Sequence, residues 1–257
     1  MRFFIAVAAL LLAASGWAAD IRVLTSGAFT EPHKQLAPGF ERATGHKVLT
    51  AYGASMGGAP DSIPIRLQRG EAVDVVILAS QALEALIKDG KVVPGSRVDL
   101  VRSSIGMVVR AGAPKPDIST VDALKRALLD AKSIAYSASA SGVYVSTELY
   151  QRLGIADRVA GKSMRIVSER VASAVARGDA EIGFQQVSEL LPVKGAEYIG
   201  PLPPELQRVT VFSAGIVAGA REPQAARQLI EFYVSPAAAP VIAKSGLEPL
   251  TSGRSGR

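Results

Sequence analysis

The chain has 257 residues, with 29 Lys or Arg against 23 Asp or Glu, which gives a net charge of +6 at pH 7. The basic residues are scattered and aromatic residues make up only 5% of the chain. This pattern argues against a nucleic-acid-binding surface, which would concentrate both. Cysteine is absent, which excludes a thiol nucleophile, a Cys-ligated metal and a disulfide framework. The positive excess fits either an ordinary solvated surface or mild attraction of an anionic ligand.

The N-terminus indicates export. Arg2 precedes an uninterrupted apolar run over 3–14, and small residues then lead to Ala18 and Ala19. This layout is typical of a secretory signal peptide that is cleaved after Ala18, and the apolar run is too short to span a bilayer. We therefore expect residues 1–18 to be removed and the mature protein to be soluble in the periplasm.

Short apolar runs that are typical of strands alternate with helical patterns along most of the chain. The elements predicted before residue 90 are strands at 21–25, 47–52 and 73–78 and helices at 28–43, 60–69 and 81–88. An extended segment at 100–110 is followed by helices at 120–130, 143–153 and 170–177 and by strands at 133–136, 165–167 and 181–185. The pattern ends with an extended segment at 207–217 and helices at 223–234 and 237–244. Such alternation predicts an α/β fold with mainly parallel sheets and right-handed crossovers.

The two long extended segments divide the chain. They flank a self-contained α/β middle, as expected for a chain that leaves one lobe, builds a second and returns. This predicts a first lobe over 19–102 plus 206–257 and a second lobe over 103–205, joined by two crossovers. Such a topology creates a cleft that can close on a ligand.

Three predicted strand-to-helix junctions, at 25–27, 53–58 and 137–142, are rich in Ser and Gly. In an open parallel sheet these junctions lie at the carboxyl ends of the strands, where ligands bind. Each places a hydroxyl beside unpaired backbone amides at the positive end of a helix dipole. One such junction alone would be a simple helix cap. Three of them together predict an anion site.

Four segments resemble the periplasmic molybdate-binding protein family. They are Val-Leu-Thr-Ser-Gly at 23–27, Gly-Ala-Ser-Met-Gly-Gly at 53–58, Gly-Glu-Ala-Val-Asp-Val-Val-Ile at 70–77 and Arg-Gly-Asp-Ala-Glu-Ile-Gly-Phe at 177–184. Members of this family are type II solute-binding proteins that serve ABC importers, and the overall pattern is similar to a branch that includes aconitate isomerase. The resemblance implies the two-lobed type II fold, with serine hydroxyls and backbone amides around an oxyanion.

The resemblance also implies a set of ligand-binding residues. On the first lobe they are Ser26, Gly27, Ser55, Met56 and Gly57. On the second lobe they are Ser139, Ser141, Gly142 and Val171, with Tyr144, Arg170 and Gln186 adjusting selectivity. Gln186 stands where the family motif has a Tyr, and Arg170, which we place in the first turn of a helix, offers a planar fork suited to carboxylates. These departures favour an organic polycarboxylate over molybdate.

Two functions follow. The first is capture of a small anion in the interlobe cleft by a monomer that delivers it to an ABC permease, without turnover, cofactor or metal. The alternative is aconitate isomerase on the same fold, which requires a base beside the migrating hydrogen. The candidate bases are Glu31, His33, His46 and Asp61, and the sequence favours none of them. With only two His and no Cys, a transition-metal ligand set is not expected.

Overall fold

Two β-sheets organise the residues that the computed structural model describes, which are 18–56 and 58–250. The signal peptide expected at 1–18 therefore lies outside the described residues except for Ala18, and so does Gly57. The strands are β1 (Asp20–Thr25), β2 (Lys47–Tyr52), β3 (Val75–Ala79), β4 (Val98–Ser103), β5 (Ile105–Arg110), β6 (Ile134–Ser137), β7 (Ser163–Ile166), β8 (Ile182–Gln186), β9 (Ala196–Pro201), β10 (Thr210–Ile216) and β11 (Glu248–Pro249).

The helices lie between these strands in the chain. They are α1 (Thr30–Thr44), α2 (Ile63–Gln68), α3 (Ser80–Lys88), α4 (Val121–Asp130), α5 (Ala140–Tyr144), α6 (Tyr150–Arg152), α7 (Ala156–Ala160), α8 (Val171–Arg177), α9 (Val187–Leu190), α10 (Pro223–Tyr233) and α11 (Ala239–Lys244). A π-helical turn, Val145–Leu149, joins α5 to α6, so the helix predicted at 143–153 is one irregular helix. No helix within 18–56 and 58–250 is long and apolar enough to cross a membrane.

The first sheet has the strand order β11-β4-β10-β3-β1-β2, and the second has the order β7-β6-β8-β5-β9. We refer to each sheet with the helices packed on it as the first lobe and the second lobe. The two sheets confirm the predicted two-lobed α/β class. Parallel pairing joins β1 to β2 and β3, and joins β6 to β7 and β8. Three of these strands, β1, β2 and β6, end at the predicted anion junctions.

The remaining pairings are antiparallel, so the sheets are mixed rather than mainly parallel. The reason is the path between the lobes. The segment predicted as one extended run at 100–110 is two strands, β4 and β5, which belong to different sheets and separate at Ser104. The chain returns from β9 to β10, which is inserted antiparallel between β3 and β4. Direct connections of this kind do not require the helical crossover of a parallel pair.

Each lobe has its own hydrophobic core. In the first lobe, alternate residues of β1 and β3 pack with Phe29, Phe40 and Tyr233 from α1, its leading turn and α10. In the second lobe, residues of β5, β6 and β8 pack with Leu124 and Leu149. Complete burial of such a side chain stabilises the fold by roughly 1.5–3 kcal/mol. The two cores fix the strand ends, and the strand ends position the residues between the lobes.

Candidate functional site

A cavity of about 370 Å³ lies between the two lobes, beside the carboxyl ends of the parallel strands. The first lobe lines it with Gly27, Thr30, Lys34, Tyr52, Gly53, Ala54 and Asp61. The second lobe lines it with Ser139, Ser168, Glu169, Arg170, Gln185 and Glu189. The volume lies within the range of small-molecule sites, and the position is the one expected for ligands of open α/β sheets.

The junction after β1 leaves one hydroxyl without a partner. Ser26 is held in place by its backbone amide, which donates to the Ile77 carbonyl at 2.8 Å. Its Oγ atom is buried and forms no hydrogen bond within the described residues. Gly27 then begins a short 3₁₀ turn that runs into α1. This junction therefore brings Gly27 to the cavity and keeps an unused polar group directly behind it.

The junction after β2 connects the two lobes. Ser55 Oγ accepts a hydrogen bond from the Ala79 amide at 3.0 Å, and the Ser55 amide donates to Ser139 Oγ at 3.2 Å. Both hydroxyls act as acceptors in these contacts, so each keeps its own proton for another acceptor. Ser55 and Met56 line a separate cavity of about 380 Å³ rather than the one described above. Of this predicted pair of serines, only Ser139 lies in the wall of the interlobe cavity.

The serine-rich junction after β6 is organised by Ser137. Its Oγ atom accepts from the Gly142 amide at 3.2 Å and shares a hydrogen bond of 3.0 Å with Ser141 Oγ. Ser141 is buried in this pairing and does not line the cavity. A Cβ atom on Gly142 would lie 1.6 Å from the Ser137 carbonyl oxygen, which explains the glycine at this position. Ser141 and Gly142 therefore shape the loop from behind.

Tyr144 and Gln186, which were also expected at the site, lie away from the cavity. Tyr144 is buried in the second-lobe core, where its hydroxyl donates to the Leu206 carbonyl at 2.6 Å and its ring lies beneath Arg208. Gln186 donates to Thr210 Oγ1 at 3.3 Å, outside the cavity. Gln186 lies outside the cavity because successive side chains of β8 point to opposite faces of the sheet. Its neighbour Gln185 takes the cavity-facing position.

Arg170 does line the cavity, in a setting different from the expected one. It is the N-cap residue of α8, with extended backbone (φ −76°, ψ 136°), and is not in the first turn. Its Nη2 atom donates to Glu31 Oε1 across the cleft at 2.5 Å, and Lys34 Nζ lies 3.6 Å from the same oxygen. Burial raises the pKa of Glu31, but the hydrogen bond and charge of Arg170, with Lys34, outweigh this and hold the pKa below its usual value.

The amide expected to hold an oxyanion is already bonded. The Val171 amide donates to Gln185 Oε1 at 2.8 Å. This bond orients the Gln185 side chain, so that its Nε2 group donates to Glu189 Oε2 in turn. A line of hydrogen bonds thus runs from the start of α8 through Gln185 to a carboxyl group in the cavity wall.

Glu189, on the short helix α9, has only 7% of its surface exposed and its carboxyl group lies against Gly27. A Cβ atom on Gly27 would lie 2.5 Å from Glu189 Oε1, so only a glycine leaves room for the carboxyl group. The Oγ atom of the preceding residue, Ser188, donates to the Ala28 carbonyl at 2.8 Å and fixes α9 against the first lobe. Burial raises the pKa of Glu189 to about 7, although the charge of Arg170 and the Gln185 hydrogen bond act in the opposite direction.

The four candidate bases from the sequence lie in different places. His33 is buried inside the first lobe, with Nε2 2.7 Å from Thr50 Oγ1 and Nδ1 2.7 Å from the Tyr233 hydroxyl. His46 bonds the Ala19 amide and Gln228 on the outer surface. Glu31 belongs to the ion pair with Arg170. Asp61 lines the cavity, and its Oδ1 atom is buried without a hydrogen bond inside the described part of the chain.

No group of three or more His, Cys, Asp or Glu residues within 18–56 and 58–250 is arranged to hold a metal ion. The polar lining instead consists of two cations, Lys34 and Arg170, three carboxyl groups and several hydroxyl and amide groups. Such a lining can bind carboxylate groups and can hold or move a proton.

Comparison with known proteins agrees with this architecture. The family model of the bacterial extracellular solute-binding proteins matches residues 21–248. The chain belongs to this family. The protein named aconitate isomerase from Pseudomonas sp is 44% identical over 251 residues, which is 96% of each chain. The molybdate-binding protein ModA of Azotobacter vinelandii is 30% identical over 254 residues, which is 95% of this chain and 96% of that protein.

The solved periplasmic molybdate-binding protein of Azotobacter vinelandii superposes with a TM-score of 0.72 at 23% identity, covering 88% of this chain and 98% of that one. This similarity shows the shared fold of the solute-binding family. Together with the two relatives, it confirms that the chain belongs to a molybdate-binding-like group that includes aconitate isomerase.

Among the polar residues of this cavity that sequence reasoning missed are Lys34, Gln185 and Glu189. Lys34 lies one turn into α1 and carries no local signal. Gln185 and Gln186 are adjacent and chemically identical, so only the register of β8 distinguishes them. Glu189 lies on a four-residue helix that was not predicted at all, because α9 follows β8 without a turn and is too short to show a period.

Proposed function

We propose that this solute-binding protein is exported to the periplasm, binds a small polycarboxylate between its lobes and interconverts the cis and trans isomers of aconitate. The observation that carries the proposal is the lining of the interlobe cavity. Two cations and a buried carboxyl group share one chamber, and the cations suit the carboxylates of the ligand while the carboxyl group suits proton transfer.

The hydrogen-bond pattern favours an organic acid over a tetrahedral oxyanion. The Val171 amide is bonded to Gln185, and Ser141 is paired with Ser137, so two of the expected oxyanion donors are engaged inside the second lobe. A tetrahedral dianion in the cavity would also lie close to the Glu189 carboxyl group, which would have no role in binding it. A polycarboxylate can place its charged ends on Arg170 and Lys34 and present an apolar carbon to Glu189.

The relative named aconitate isomerase supports the reaction, because it is 44% identical along almost the whole of both chains. The same family membership supports a second candidate, in which the protein carries a small anion to an ABC permease as a monomer. The observation that favours this candidate is the ModA relative, which is 30% identical and covers 95% of this chain. The two candidates share the cavity and differ in whether the ligand leaves changed.

The test is a ligand panel on the mature protein. It sets cis- and trans-aconitate, citrate and smaller dicarboxylates against molybdate, tungstate, sulfate and phosphate in a thermal-shift assay. A ligand at about a hundred times its Kd stabilises the native state by about 2.7 kcal/mol, which is readily measured. Proton NMR of the same samples then detects isomerised product.

We expect stabilisation by aconitate and conversion of either isomer to the same equilibrium mixture. Stabilisation by aconitate without conversion would support the carrier function instead. A response confined to tetrahedral oxyanions would overturn both the ligand class and the reaction.

A further inference from the structure

Glu189 combines three properties that no other carboxyl group among the described residues lining the cavity has. It is almost completely buried, one of its oxygens is oriented by a neutral donor, and no cation among the described residues lies within ion-pair distance of it. Glu31, close to the cavity, is instead tied to Arg170. Glu169 is tied to Arg177 on the exposed rim. Carboxylates engaged by arginines are stabilised in the charged form and are weak bases.

The orientation of Glu189 is fixed from both lobes. From the second lobe, Gln185 donates to Oε2, and the Val171 amide holds Gln185 so that its NH₂ group faces the carboxyl group. From the first lobe, Gly27 presents a backbone without a side chain against the carboxyl plane. Asp61, the third carboxyl group of the lining, has no such support, since its buried Oδ1 atom accepts no hydrogen bond from the described residues.

We propose that Glu189 is the base that carries the migrating proton, with Gln185 as its positioning residue. This inference rests on the proposed isomerisation. The Glu189 carboxylate removes a proton from the methylene carbon of aconitate, and the electrons of the broken C–H bond enter the adjacent C=C system to give an allylic carbanion. The neutral carboxylic acid of Glu189 then returns the proton to the other end of the three-carbon unit. The double bond moves by one position, and no atom or electron is gained or lost.

The surrounding groups have complementary tasks. Arg170 and Lys34 bind the substrate carboxylates, onto which the negative charge of the carbanion spreads. The burial that raises the pKa of Glu189 to about 7 makes the carboxylate a stronger base than an exposed glutamate, and leaves it largely deprotonated in mildly alkaline solution. The other titratable groups facing this chamber are Tyr52, Asp61 and Glu169.

The experiment compares the wild-type full chain with Glu189→Gln, which keeps the size of the side chain and the acceptor for Gln185. Isomerisation is followed by NMR in H₂O, proton exchange at the substrate methylene is followed in D₂O, and binding is followed by thermal shift. We expect the variant to bind aconitate but to lose at least about a hundredfold in kcat, and to lose the exchange reaction as well. Glu148→Gln, which removes an exposed carboxylate paired with Arg208, is the matched control and should retain full activity.

The outcomes are distinct. A wild-type protein that does not isomerise aconitate would overturn the proposed function, and the role of Glu189 with it. An active wild type with an equally active Glu189→Gln variant would leave the function standing and overturn the base. An Asp61→Asn variant that loses activity while Glu189→Gln retains it would assign the proton transfer to Asp61. For the positioning role, Gln185→Leu should lower kcat and shift the acidic limb of the pH–rate profile, with little change in KM.

Discussion

The protein buries one histidine and one glutamate in two contrasting settings. His33, inside the first lobe, has both ring nitrogens hydrogen-bonded, and burial lowers its pKa to about 4. Glu189, between the lobes, has one oxygen bonded to Gln185 and lines a cavity, and burial raises its pKa to about 7. Both pKa values move toward the neutral form, as desolvation requires. The difference is access to a ligand, so a shifted pKa alone does not identify a functional residue.

Among substitutions of the residues around these two side chains, the largest effect is expected from Gly27→Ala. A Cβ atom at this position would lie 2.5 Å from Glu189 Oε1, so the carboxyl group must move out of place. Displacement of a reacting group by about 1 Å can cost on the order of a hundredfold in rate, and we expect a loss of that order in kcat. Gly39→Ala in α1 is the control, because its nearest contact would be 3.7 Å away. It should retain activity and stabilise the helix by roughly 0.5–1 kcal/mol. A fully active Gly27→Ala protein would mean that the carboxyl position does not matter.

The second-largest effect is expected on stability, when the hydrogen bond between Tyr233 and His33 is removed. Tyr233→Phe removes the hydroxyl 2.7 Å from His33 Nδ1 and leaves a buried nitrogen without a partner. We expect a loss of about 1–3 kcal/mol in the free energy of unfolding, with kcat unchanged, measured by urea denaturation and by the isomerisation assay. Tyr198→Phe, which alters a half-buried ring of the second lobe, should cause a smaller loss in the free energy of unfolding. A large drop in kcat for Tyr233→Phe would show that the hydrogen bonds of His33 are coupled to the cavity. His33 and Glu189 would then not differ in their importance for the reaction.

The third prediction uses pH. The folded chain holds the Glu189 proton more tightly than the unfolded chain does, so between about pH 4.5 and 7 this group makes stability fall as pH rises. His33 makes stability rise with pH between about pH 4 and 6.5, because the unfolded chain binds the His33 proton more tightly than the folded chain does. Each group contributes a slope of at most about 1.4 kcal/mol per pH unit. Unfolding free energies measured across this range should therefore rise more steeply with pH for Glu189→Gln, and less steeply for His33→Asn. Equal slopes in all three proteins would contradict both shifts.

The smallest effect is expected from Glu31→Gln, which breaks the ion pair with Arg170 across the cleft. The two side chains are 21% and 26% exposed, and a pair of this kind contributes less than about 1 kcal/mol to stability. The freed Arg170 should bind a ligand carboxylate better, so we expect aconitate affinity by calorimetry to improve slightly. Glu84→Gln, which breaks a surface pair with Arg97, should leave the affinity unchanged. Weaker binding in Glu31→Gln would mean that Glu31 itself supports the ligand site.

The sequence was sufficient for the class of fold and for part of the cleft. Alternating strand and helix patterns predicted most of the elements. The junction rule pointed to Gly27 and Ser139, and the family resemblance pointed to Arg170, and all three line the cavity. Prediction from the sequence failed where a shift of one residue moves a side chain to the other face of the sheet, as with Gln185 and Gln186. The register of β8 is set by its pairing with β5 and not by local composition. Prediction also failed for Glu189, whose contacts with Gly27 depend on how the two lobes meet, and no local pattern contains that information.

Among the described residues, three polar contacts join the lobes around the cavity. They are the Ser55 amide with Ser139 Oγ, Ser188 Oγ with the Ala28 carbonyl, and Arg170 with Glu31. Two of them join a backbone group of the first lobe to a serine hydroxyl of the second lobe, so substitution of Ser139 or Ser188 would remove one of them. We expect an occupant to leave only after these contacts have broken together, so that its residence time is set by the opening of the lobes. Acids of quite different affinity should then dissociate with similar rate constants, and their affinities should differ mainly in how often an encounter leads to closure.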